Sequence, residues 1–194
     1  MTVALSALET LRLRLPSREQ VRLLFLAILV PVNFWALVIF LQELPAYILR
    51  MNAWDVTGIL AYVLTIALLD SLILLFFVTV IMALLPVSFR KHHYTTAGTL
   101  IAYLTIFWLV LIQYQDAIGA RLPIVQQRWF IWVWLAALLT GISAAAYLLS
   151  RSEKLDLWVR AFVDRLSLLS TVYLFLNLAG LLVVLGRNLS AGIG

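Results

Sequence analysis

Five long apolar runs, separated by short polar stretches, make up most of the chain: Val21–Leu41, Gly58–Leu85, Ala97–Tyr114, Trp129–Leu149 and Leu166–Leu185. Each reaches or approaches the ~20 residues that a helix needs to cross ~30 Å of hydrocarbon. The second is longer than that and is expected to tilt or to extend into an interface. No strand-length alternation of apolar and polar positions is visible, so helices and not a barrel should satisfy the backbone inside lipid. The pattern predicts an all-α polytopic membrane protein: one bundle of five transmembrane helices forming a single domain over residues 1–194.

The breaks between the runs carry helix-end chemistry. Ser17 and Gln20 in "SREQ" have the spacing of a capping box before the first span. Ser6 with Glu9 repeats that spacing upstream, where a short helix on the membrane surface or a frayed tail are both open readings. Pro45 is expected to end or bend the first helix, and Asp55 to cap the second. In "EKLDLWVRAFVDRL", Leu155, Trp158, Val159, Phe162 and Leu166 recur at helical spacing among Lys154, Asp156, Arg160, Asp164 and Arg165. This predicts a short amphipathic cytoplasmic helix leading into the last span, either separate from it or continuous with it. It would rest on the membrane or serve as a contact face for a partner. Three indoles in "WFIWVW" fit an aromatic belt at the end of the fourth span.

Composition makes the membrane reading hard to avoid. Hydrophobic residues are 64% of the 194, charged residues 12%, and the mean hydropathy is +1.06. A soluble fold of this length could not hide so much apolar surface. The chain has no cysteine, so disulfides, thiolate nucleophiles and Cys-ligated metals are excluded.

Charge adds an orientation. The net charge is +5, and the basic residues stand at the ends of the apolar runs. Arg12, Arg14, Arg18, Arg22, Arg90, Lys91, Arg151, Lys154, Arg160 and Arg165 fall on one side of a five-span topology. Arg50, Arg121, Arg128 and Arg187 fall on the other. The positive-inside rule then places the N-terminus in the cytoplasm and the C-terminus outside, most simply in the cell membrane. No basic patch is interleaved with aromatics as a nucleic-acid surface would require, so the expected partners are the lipid bilayer and other membrane subunits or further copies. The first run continues past residue 40 without a small-residue cleavage site, so it reads as a retained span.

One carboxylate interrupts the apolar pattern. In "IALLDSLILLFF", Asp70 lies near the middle of the second span. An ionised carboxylate there costs at least ~2.5–3.5 kcal/mol. The other spans each carry a polar residue near the same depth: Asn33, Thr105, Thr140 and Asn177. Pro31, just before Asn33, frees a backbone carbonyl that could also accept a bond. These five residues are the candidate site. They could form a hydrogen-bonded layer that sets helix register, or a polar path on which Asp70 takes up a proton or cation, or Asp70 could face another subunit. Ala137, Gly141 and Ala145 form a small-residue stripe suited to close helix packing. Gly98 with Ala102 repeats the spacing on the third span, and Ala67 with Ser71 flanks Asp70 on the second.

Catalytic patterns are missing. His92 and His93 are adjacent and would diverge on a helix, which makes them a poor chelating pair. They are expected in a basic cytoplasmic loop. No nucleophile elbow, HExxH or phosphate-cradling loop occurs, and neither a metal nor another cofactor is implied. "NLS" at Asn188–Ser190 matches a glycosylation acceptor pattern that is common by chance. The expected function is therefore non-enzymatic: a subunit or scaffold of a larger membrane assembly. The alternative is a small oligomeric transporter or channel using Asp70, with Asn33 and Asn177 lining its site.

Overall fold

A computed structural model of the chain describes residues 16–84, 87–117, 132–133, 135–144, 147 and 153–191. The Ser6–Glu9 segment, the connection after Ala117 and parts of the fourth apolar run, Ala145 among them, lie outside these residues. So do the side chains of His92, His93, Leu155 and Asp156.

The described chain is all helical. Helix α1 spans Arg18–Arg50, α2 Ala53–Leu84, α3 Val87–Ala117 and α5 Glu153–Ala191; between α3 and α5 lies the shorter apolar α4, Leu135–Ala144. Four helices, α1, α2, α3 and α5, are long and apolar enough to cross a membrane. The fourth expected span is represented only by α4 among the described residues.

Local chemistry sets the helix starts. The capping box before α1 forms as expected: the Ser17 N–H donates to Gln20 Oε1 at 3.0 Å, and the Gln20 N–H donates to Ser17 Oγ at 3.2 Å. Two expectations near the α1–α2 turn are corrected. Pro45 does not end α1, which continues through both Pro31 and Pro45 to Arg50. A proline costs its helix one backbone bond; here the chain around Pro45 is exposed, where solvent or headgroups can serve the freed carbonyl. The cap of α2 is Asn52 and not Asp55, because Asn52 Oδ1 accepts the Asp55 N–H at 2.9 Å. Asp55 sits in the first turn, where a carboxylate favours the helix dipole.

One other boundary differs from expectation. The "RKHHYTT" stretch is not a loop but the opening of α3, which starts at Val87, well ahead of its apolar part. Of the two forms open to the amphipathic stretch at Glu153–Leu166, separate or continuous with the last span, the continuous one is found: it runs without a break into the last apolar run as α5. No proline or glycine interrupts that join, so nothing in the sequence stops the helix there.

The contacts fall into two compact units. The first contains α1 up to Leu24, α2 from Leu75, α3, α4 and α5 as far as Phe162. Its core is built on small residues of α3. A Cβ at Gly98 would come within 3.2 Å of both Leu24 methyl groups, so the glycine lets α1 approach α3 closely. Tyr94 is buried and donates to Thr79 Oγ1 at 3.5 Å. On α4, the Leu104 side chain occupies the space beside Gly141 that a Cβ would need. Of the expected small-residue stripe, this contact concerns Gly141 alone.

The second unit contains α1 from Phe25, α2 as far as Leu74 and α5 from Val163. Here α5 packs through one narrow face. Val163, Ser170, Asn177 and Val184 recur every seventh residue and are all buried; Gly180 stands between the last two. A Cβ on Gly180 would sit 3.0 Å from the Ala61 carbonyl oxygen and from Leu64 Cβ, which marks a close approach of α5 to α2. The Ser170 hydroxyl donates to the Leu26 carbonyl at 2.8 Å, joining α5 to α1. At the far end, Arg187 reaches Trp54 and Asp55 in the first turn of α2. These contacts make α5 antiparallel to α2 and parallel to α1.

Candidate functional site

The mid-span polar residues are best located within the second unit, which holds Asn33, Asp70 and Asn177. Asn33 and Asn177 are wholly buried. Their relative height follows from the Ser170–Leu26 bond. Asn33 lies as far along α1 from Leu26 as Asn177 lies along α5 from Ser170. On parallel helices, both therefore stand at one level, about two turns beyond that bond. The antiparallel α2 brings Ala67 to nearly the same level, since Asn177 is one turn before Gly180 and Ala67 one turn after Leu64.

The two amides are incompletely bonded. Asn33 Nδ2 donates to the Leu29 carbonyl of its own helix at 2.8 Å. Its Oδ1 has no partner, and neither Oδ1 nor Nδ2 of Asn177 has one. An unpaired buried amide group costs ~1–3 kcal/mol. The centre of this unit thus carries unused hydrogen-bonding capacity of both signs, with two acceptor oxygens and one amino group.

Asp70 is placed differently. Ala67 and Ser71, its expected companions on one face, are buried, and the Ser71 hydroxyl donates to the Ala67 carbonyl at 2.7 Å. Asp70 is turned ~100° from Ser71 around the helix and is exposed. Its neighbours on that face are Ile66, 55% exposed, Leu69, 55%, and Ile73, 57%. Among the described residues no hydrogen bond or salt bridge reaches its carboxyl group. The side chain that departs most from the pattern of the apolar runs thus stands on an outward apolar face.

Thr105 and Thr140 belong to the other unit. Each donates to a carbonyl one turn back in its own helix, Thr105 to Ile101 at 2.9 Å and Thr140 to Ala136 at 2.8 Å. Thr105 is buried and Thr140 exposed. Among the described residues, no hydrogen bond joins any two of the five candidates. No group of three His, Asp or Glu side chains is placed to hold a metal among them either.

Ser170 is the polar contact that reading by depth overlooked, since it lies off the midplane. Its signal was present in the seven-residue spacing of Val163, Ser170, Asn177 and Val184, which marks a packing seam. Comparison with protein-family models, with curated proteins and with solved structures finds no match for the chain.

Proposed function

We propose that this integral membrane protein is a non-enzymatic subunit that binds another membrane polypeptide across the Asp70 face of α2. The observation that carries the reading is the exposed, unpartnered Asp70 between Ile66, Leu69 and Ile73. Facing lipid, its carboxyl would keep the full insertion cost. Facing a second helix with an amide, hydroxyl or cationic group at mid-depth, it gains a partner in a medium where few alternatives exist. The apolar residues around it supply the packing surface. The sequence carries no catalytic motif that favours an enzyme, and the basic residues fit an N-in, C-out orientation.

The unused amide groups of Asn33 and Asn177 favour a second reading. In it, further copies of the chain assemble into a small transporter or channel. Asp70 takes a proton or cation there, and the two amides supply oxygen and amino groups along the polar path.

A photo-crosslinking residue placed at Ile73 and used in the native membrane separates these. A crosslink to a different polypeptide supports the subunit reading. A crosslink to a second copy moves the weight to the oligomeric transporter. Crosslinks to lipid alone, at Ile66 and Ile73 alike, contradict both.

A further inference from the structure

The end of the second unit where α2 begins and α5 finishes holds a cleft of about 600 Å³. That is within the usual ligand-pocket range of ~300–1,000 Å³. Arg187 lines it and forms a half-open ion pair with Asp55, which stands behind the lining, Arg187 Nη2 being 3.4 Å from Asp55 Oδ1. Arg187 Nη1 donates to the Trp54 carbonyl at 2.9 Å, and the guanidinium lies 5.5 Å from the centre of the Trp54 ring. Gly58 makes this possible, because the guanidinium occupies the space that any larger residue there would fill. A guanidinium has more N–H donors than these two oxygens use. Across the cleft the Tyr62 hydroxyl donates to Asn188 Oδ1 at 2.8 Å, which leaves the Asn188 amino group unpaired among the described residues. Val183 and Gly186 supply an apolar wall.

Three features restrict the ligand. The cleft lies at helix ends that carry Trp and Tyr, the residues of the headgroup level. It offers a fixed cation and spare N–H donors, which suit a phosphodiester. That cation is already paired with the part-exposed Asp55 carboxylate next to the cleft, so an incoming phosphate alone would add an uncompensated negative charge. A headgroup carrying its own primary ammonium removes that conflict by donating to Asp55 while its phosphate takes Arg187. We infer that this cleft binds the headgroup of a zwitterionic aminophospholipid, with phosphate on Arg187, ammonium on Asp55 and an acyl chain along Val183 and the Tyr62 ring. The inference depends on the membrane-spanning fold and is independent of the subunit reading.

The test reconstitutes the full chain with phosphatidylethanolamine, phosphatidylcholine or phosphatidylglycerol, and counts retained lipid by native mass spectrometry after detergent washing. The wild type should retain the ethanolamine lipid at least fivefold above the other two. Arg187→Gln should abolish retention, and Asp55→Asn should remove the preference over the glycerol lipid. Gly186→Leu keeps the test decisive if the ion-pair variants fold poorly. A Cβ at Gly186 would meet nothing within 4 Å, so its side chain can fill the cleft without disturbing the packing. It should lose the lipid while helix content by circular dichroism stays unchanged. Equal retention of all three lipids, retention unchanged in Gly186→Leu, or full displacement by millimolar inorganic phosphate would overturn the inference.

Discussion

Asn177 shows how a buried polar side chain can stand at the centre of a helix seam without yet holding a bond. Both of its amide atoms lack partners, and the side chain is fully enclosed. Replacing such a group with an apolar residue of similar size removes the cost of the unpaired atoms. Asn177→Leu should therefore leave stability within about 1 kcal/mol of wild type, or raise it. Thermal unfolding in mild detergent measures this, and a loss above about 2 kcal/mol would mean that the amide is bonded in the folded protein. Sequence depth alone was enough to single out Asn33, Asp70 and Asn177, because a polar group inside an apolar run stands out. It could not say which way each pointed. Adjacent residues on a helix diverge by ~100°, so the burial of Ser71 and the exposure of Asp70 depend on where the neighbouring helices pass.

At the scale of elements, the long helices could be read from hydropathy with little ambiguity, and their ends from capping chemistry only in part. Ser17 and Gln20 behave as their spacing implies, since both partners are local. Asn52, three residues before Asp55, competes for the same cap role and holds the α2 start. Pro45 and the "RKHHYTT" stretch lie inside α1 and α3 because helices near a membrane surface can extend beyond their apolar parts where freed or polar groups meet water. The packing of α5 was encoded in its seven-residue spacing, yet which element fills that seam was not. Gly180 is the sensitive point, with the Ala61 carbonyl oxygen and Leu64 Cβ of α2 each only 3.0 Å from where its Cβ would lie. Gly180→Val should destabilise the second unit by about 1–3 kcal/mol through overpacking. Gly186→Val, in open space, is the matched control and should change unfolding by less than about 0.5 kcal/mol. Equal effects at the two glycines would contradict the close α2–α5 approach.

For the whole molecule, four helices able to cross a membrane establish the class of protein, and the charge distribution supplies an orientation still to be measured. Cysteines introduced singly into this cysteine-free chain make that measurement direct. A membrane-impermeant thiol reagent applied to intact cells should label a Cys at Ser190 and spare one at Ser17; the opposite pattern would reverse the proposed orientation. Function was the least legible level, because a hydrogen bond to another polypeptide leaves no pattern in one chain beyond the residue that needs it. In the proposed reading that residue is Asp70. The most direct test is the mass and composition of the tagged protein extracted gently from its native membrane, measured for wild type and Asp70→Leu. The predicted result is a stoichiometric complex with a second polypeptide for wild type. For Asp70→Leu it is a monomer of unchanged helix content, with partner recovery reduced at least tenfold. Identical complexes from both, or a wild-type protein that is already monomeric, would contradict the role assigned to the Asp70 face.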